Sequence, residues 1–335
     1  MNTVACGEYE SFDINDLAME RVSLGSVVRA HEAIVRLDEQ VGRSSIGRAW
    51  SERILFRQAC DAQYAQGSLV HVDELVLLAG GLRRQPGYPE LIDTFNMLQV
   101  WRRALDDDAS ELLRADRAGL NNVPASDPFP VLRKPVRLRG VLKAPATELA
   151  PVVDIRAREQ WRRVMRTGQQ LTPVLAAAVA WDCWMRLAPE PGSGWRATLL
   201  AALVLRSLGT APSLLLPIDC GWRVSQYRVR PEHTREQRLA GFISWLEAAA
   251  REGRKEFSSL IVANTQLRYH LRSKRNNSRL PALARLFLSL PLVSVRLAAR
   301  HIGCTPQAVE KMIPLLGSTP REVTARKRYR AWTVP

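Results

Sequence analysis

Residues 295–312, VRLAARHIGCTPQAVEKM, constrain the fold of this chain more than any other stretch. Counted from Val295, small Ala299 stands fifth and Gly303 ninth. Ala298, Ile302, Cys304, Val309 and Met312 stand fourth, eighth, tenth, fifteenth and eighteenth. Two short helices that cross closely at a sharp angle need this order. The fifth residue touches the second helix and must be small, and the ninth must take a turn conformation that glycine adopts without strain. The ends of both helices are also marked. Ser294 is placed to cap the first helix, Thr305 to cap the second, and Pro306 occupies a first position where its missing N–H costs nothing. Pro314 should end the second helix after about two turns.

On the N-terminal side, Leu283, Leu286, Phe287 and Leu290 make one apolar face of a helix opened by Pro281. On the C-terminal side, REVTARKRYRAWTV fits two short strands, with Val323 on one and Tyr329, Ala331 and Thr333 on the other. The expected hairpin carries Arg326, Lys327, Arg328 and Arg330 at its tip, and Trp332 is expected to pack against the helices. Charge follows the same boundary. From Leu267 to Pro335 there are fourteen Lys and Arg against two acids, a net +12, so the other 266 residues share only +3 of the total +15. That asymmetry is the footprint of a polyanion-binding end on a near-neutral body.

Residues 295–312 closely resemble a helix-turn-helix, and a β-hairpin behind one resembles the wing of a winged helix. The resemblance implies double-stranded DNA as partner, with Thr305, Gln307, Glu310 and Lys311 on the outer face of the second helix. Gln307 can bond adenine bidentately and Lys311 can reach guanine. Glu310 either accepts from cytosine or pairs with Lys311 and its neighbours in solvent. Ser294 and Arg296 on the preceding helix join this DNA-facing set, and the hairpin arginines would meet phosphates or a minor groove. A second basic run holds Arg268, Arg272, Lys274, Arg275 and Arg279. It is either a solvated helix end or a further phosphate contact. Two-fold binding is common for such modules, but no heptad seam announces a homodimer.

The rest of the chain reads as helices, and no alternating strand pattern occurs before residue 320. Val27, Ala30, Ile34, Leu37 and Val41 share one face of a helix over 24–42. Further helices are expected over Trp50–Gln66, after Asp73 and Glu74, and as one or two segments between Tyr88 and Arg117. Six prolines between 118 and 154, with the basic segment LRKPVRLRGVLK, suggest an extended arm. Thr172-Pro173 opens another helix, ATLLAALVLRSL follows the break PEPGSG, and Leu239–Arg254 and Phe257–Lys274 supply two more. The expected units are 1–117, an arm over 118–154, a central helical domain over 155–275, and the DNA-binding domain over 276–335.

Several classes are disfavoured. No run of about 18 apolar residues suggests a membrane span. The first 20 residues carry five acids and no base, unlike a signal peptide. Five scattered cysteines with no CxxC pair suit a reducing cytoplasm, and no His or Cys spacing suggests a metal site or cofactor. GxxxxGK[ST], GxSxG and HExxH are absent, so no catalytic residue is assigned. The segments RQACDAQYAQGSLVHVDELVLLAG, SRLPALARLFLSLPLVSVRLAARHIGCTPQAVEKM and RKRYRAW together resemble a family of bacterial, often plasmid-borne, helix-turn-helix proteins.

A fainter resemblance is to Fic-domain proteins, which transfer AMP to hydroxyls. Ala62 and Gln66-Gly67 match the place of their inhibitory motif, and LAPEPGSGWRATLL matches their catalytic loop at Pro189, Gly192 and Gly194. Ala188 stands where the catalytic His should be, and Trp195 where an Arg should hold phosphate, so AMP transfer should be lost. The chain is therefore expected to be mainly α, a degenerate Fic-like helical body carrying a C-terminal winged helix-turn-helix. It should act as a cytoplasmic, nucleoid-associated regulator of transcription and not as an enzyme. The alternatives are a Fic-like AMP-transferase or a Fic-derived adaptor.

Overall fold

The computed structural model describes residues 23–82, 87–114, 155–167, 171–187, 194–272, 279–323 and 330–335. The expected arm over 118–154 and the positions Ala188, Pro189 and Gly192 lie outside them. The body consists of α1 (Leu24–Gly42), α2 (Gly47–Ala65), α3 (Val72–Ala79), α4 (Pro89–Asp106), α5 (Ala109–Arg114), α6 (Ile155–Thr167), α7 (Pro173–Leu187), α8 (Gly194–Ser207), α9 (Ile218–Val224) and α10 (Arg235–Leu271). The C-terminal part holds α11 (Leu280–Ser289), strand β1 (Val293–Ser294), α12 (Val295–Ile302), α13 (Pro306–Met312), a 3-10 turn (Ile313–Leu316), β2 (Arg321–Glu322) and β3 (Ala331–Thr333).

α10 is the spine. Thr234 caps it through a reciprocal capping box with Gln237, and its 37 residues span about 55 Å. α1, α7 and α9 pack along it, α8 packs on α7, and α2 packs on α4 and α9. The apolar face expected on α1 is there, with Val27, Ala30, Ile34, Leu37 and Val41 all buried. Phe242, Trp245, Leu246 and Ala249 likewise form a buried stripe on α10, where Trp181 stacks on Phe242 at 4.6 Å.

Two expectations are corrected. The break expected between Arg254 and Phe257 is absent, and α10 runs straight through it. The polar residues there are not a loop but a charged helix face. Glu252 and Glu256, one turn apart, each stand 3.5 Å from the Arg57 guanidinium of α2. A strand also precedes residue 320. β1 pairs antiparallel with β3, Val293 opposite Trp332, and β3 pairs with β2, Glu322 opposite Trp332. Two residues are too few to show a period of two, which is why β1 leaves no trace in the sequence pattern.

α2 is the element that joins the two parts. Between Trp50 and Gln63 nearly every side chain is buried, whichever way it faces. α2 touches α1, α3, α4 and α9 in the body, and α11 in the C-terminal part. A helix enclosed on all sides must bring its polar residues partners from neighbouring elements.

Candidate nucleic-acid interface

The crossing of α12 and α13 is built from local signals. Ser294 Oγ accepts the amide of Leu297 at 3.2 Å and opens α12. The helix stops at Gly303, whose left-handed conformation (φ 65°, ψ 45°) turns the chain. The amide of Cys304 then closes on the Ala299 carbonyl at 3.0 Å. Thr305 Oγ1 accepts the amide of Ala308 at 3.2 Å and opens α13. Ala298, Ala299 and Val309 are buried at the crossing, and Ile302, Cys304 and Met312 pack against the core in part. α13 ends at Met312, and Pro314 sits in the 3-10 turn that follows.

This geometry leaves Gln307, Glu310 and Lys311 exposed together on α13, Thr305 exposed at its cap, and Arg296 exposed on α12. Ser294 is half-buried, and because its oxygen accepts the capping amide, its own O–H is left to donate. Among the described residues no hydrogen bond or ion pair holds Gln307, Glu310 or Lys311. Glu310 nevertheless lies close enough to Arg330 to help hold that guanidinium protonated.

The hairpin residues behave less uniformly than the sequence implies. Arg330 stands at the base of the hairpin and not at its tip. It grips Glu322 across the strands, with Nε 2.9 Å from Oε1, and its guanidinium lies over the Trp332 ring at 5.0 Å. The Glu322 carboxyl is held below its ordinary range by this bond, and Arg330 is raised by it. Trp332 is buried, as expected. Arg279 donates to the carbonyl of Gly303, so it ties the start of α11 to the turn. Lys274, Arg275, Arg326, Lys327 and Arg328 lie outside the described residues.

Sequence reasoning missed how this unit is held. Arg53 of α2, 8% exposed, reaches into the C-terminal part. Its guanidinium donates to the carbonyls of Leu290 and Val334, both at 2.7 Å, and of Phe287 at 3.2 Å, with Glu256 3.8 Å from Nε. Burial pulls Arg53 down from the usual arginine range, and Glu256 partly offsets this. On α12, Arg300 donates to the carbonyls of Gly80 and Gly81 at 2.8 and 3.0 Å, where α3 ends. A Cβ at Gly80 would lie 2.5 Å from Leu297 Cδ1, so any larger residue there would make the Leu297 side chain move. No spacing rule in the sequence singles out Arg53 from Arg48 and Arg57 of the same helix, and its acceptors come from elements more than 230 residues away.

Residues 280–334 match the family model of an HTH DNA binding domain, and residues 154–272 match the model described as a protein of unknown function, DUF1612. Over 382 aligned positions the chain is 31% identical to the uncharacterized protein y4cF of Sinorhizobium fredii. The alignment covers 95% of this chain and 99% of that protein. With that identity along nearly the whole length, and an HTH DNA-binding domain at its C-terminal end, the chain belongs to the y4cF family of helix-turn-helix proteins.

Proposed function

We propose that this protein is a sequence-specific transcriptional regulator in which α13 enters the major groove and the β2–β3 hairpin serves as a wing. The observation that carries this is the open face of α13. Gln307, Glu310 and Lys311 are exposed beside one another, on a helix whose opposite side is locked into the crossing. Gln307 and Lys311 read base edges, and Glu310 accepts from cytosine. Ser294, Thr305 and Arg296 hold the phosphate backbone together with Lys274, Arg275, Arg326, Lys327 and Arg328. Arg279 and Arg330 are already engaged with Gly303 and Glu322, so they support the module and approach DNA second.

The test is retardation of genomic fragments that co-purify with the protein, repeated across salt concentrations. With about six phosphate contacts, the slope of log K against log salt comes out near −5. A slope near zero, or no retarded fragment, overturns the proposal. A palindrome shared by the fragments would add a two-fold homodimer to it.

A second reading is a Fic-derived adaptor. One observation favours it: Ala62 and Gln66 line the same cavity as Gly194 and Trp195, so the two segments carrying that resemblance meet in space.

A further inference from the structure

The body contains a cleft of about 810 Å³ that the DNA-binding reading does not use. It opens between the end of α2, the facing ends of α7 and α8, α9, and the connection from α9 to α10. Its volume falls in the range of small-molecule sites, roughly 300–1,000 Å³. Four of the chain's nine tryptophans line it, Trp181, Trp195, Trp222 and Trp245. The inner pair is fixed: Trp181 packs edge-on to Trp245 at 5.2 Å, and Trp245 Nε1 donates to the Tyr227 carbonyl at 3.1 Å. Trp195 and Trp222 are only half-buried. Such a wall offers planar, polarisable surface to a flat ring system.

Arg238 and Arg230 at this wall stand against carboxylates, and among the described residues Arg228 does not. Asp182 holds Arg238 in a two-pronged pair, 2.6 and 3.2 Å. Glu232 stands 3.9 Å from Arg230. Asp219 at the floor accepts from Thr198 Oγ1 at 2.7 Å and from Gln58, and burial pushes its carboxyl up to about 7. It therefore carries only part of a negative charge at neutral pH. Arg228 differs. It lies over the Trp222 ring at 4.8 Å and donates only to the backbone carbonyls of Ser225, Tyr227 and Arg223. Among the described residues no carboxylate neutralises it. A guanidinium held against an aromatic face at the rim of an apolar cleft suits an anionic group attached to a flat ring.

We infer that this cleft is a binding site for a planar aromatic anion, with the ring between the tryptophans and the anionic group on Arg228. The site lies in the DUF1612 region and at the end of α2, apart from the α13 face.

The test is calorimetric titration of the full chain with 2-naphthoate, its neutral isostere 2-naphthamide, and cyclohexanecarboxylate, an anion without a flat ring. A ligand of that size in a matching site binds at roughly 1 mM or tighter. The expected result is one site per chain for 2-naphthoate, with both analogues at least about tenfold weaker. Arg228→Gln, on an exposed side chain, should remove the preference for the acid over the amide. Trp195→Ala should weaken both naphthalene ligands. No saturable heat with 2-naphthoate, equal affinity for acid and amide, or an Arg228→Gln protein that still prefers the acid would each overturn the inference.

Discussion

The two surfaces of the C-terminal module use polar side chains in opposite ways. At the seam with the body, buried Arg53 spends its donors on backbone carbonyls, and Arg300 of α12 reaches across to the carbonyls of Gly80 and Gly81. On α13, Gln307 and Lys311 are exposed, and among the described residues no hydrogen bond or ion pair holds them. The contrast separates architecture from recognition. A guanidinium buried on carbonyls fixes where the module sits, while an exposed amide and ammonium on a short rigid helix keep their bonding capacity for another molecule. It also shows that basic residues in such a protein cannot be assigned to DNA by charge alone.

The largest expected effect would test that separation. Arg53→Met leaves the carbonyls of Phe287, Leu290 and Val334 without their charged donor, and should lower stability in urea unfolding by about 3 kcal/mol. Arg53→Lys should recover little, because one ammonium cannot span acceptors that a planar fork reaches together. Gln307→Ala with Lys311→Ala should leave unfolding within about 0.5 kcal/mol of the parent, yet weaken binding to a co-purified fragment by about tenfold or more. If the α13 pair costs as much stability as Arg53, the comparison fails.

Much of the crossing was legible beforehand because it rests on local rules. Ser294, Gly303, Thr305 and Pro306 act on their own neighbours, and their types announce those acts. The helical body was legible from periodicity, with α1 matching its expected bounds. The seam was not, since Arg53 meets Val334 across 281 residues and no spacing rule connects them. The continuity of α10 was hidden for a related reason: Arg254, Lys255 and Glu256 look like a solvated break until α2 supplies Arg53 and Arg57 opposite. The role of Arg330 was misplaced because Glu322 becomes its neighbour only once the strands pair.

The next effect belongs to the seam and is pH-dependent. Burial, with the charge of Arg102 on α4 adding to it, pushes His301 down to about 4, below the 6.5 of an unperturbed imidazole. Between those values the unfolded chain binds a proton that the folded chain does not. The contribution is therefore present above about pH 6.5 and is lost as pH falls toward 4. From pH 7.5 to 5.5 it should amount to roughly 1 kcal/mol. Asp219, raised to about 7 by burial, acts in the opposite sense, so the parent's slope mixes the two. The difference between parent and His301→Gln in urea unfolding at the two pH values isolates the histidine. An unchanged difference would mean that the seam is open to water at His301.

The smallest effect tests whether Gly303 is there for its backbone or for space. A Cβ at this position meets nothing within 4 Å, so crowding is no obstacle. Its φ of 65° lies in the left-handed region, which costs an alanine about 1–2 kcal/mol, while the stiffer unfolded chain returns about 0.4–1 kcal/mol. Gly303→Ala should therefore lose about 0.5–1 kcal/mol in thermal or urea unfolding. Asparagine visits the left-handed region more readily, so Gly303→Asn should lose less than alanine does. An equal loss for both would point away from the backbone and toward the carbonyl of residue 303, which Arg279 grips from the start of α11. The turn would then belong to the clamping side of the comparison, and α13 would be aimed by α11 as much as by its own glycine.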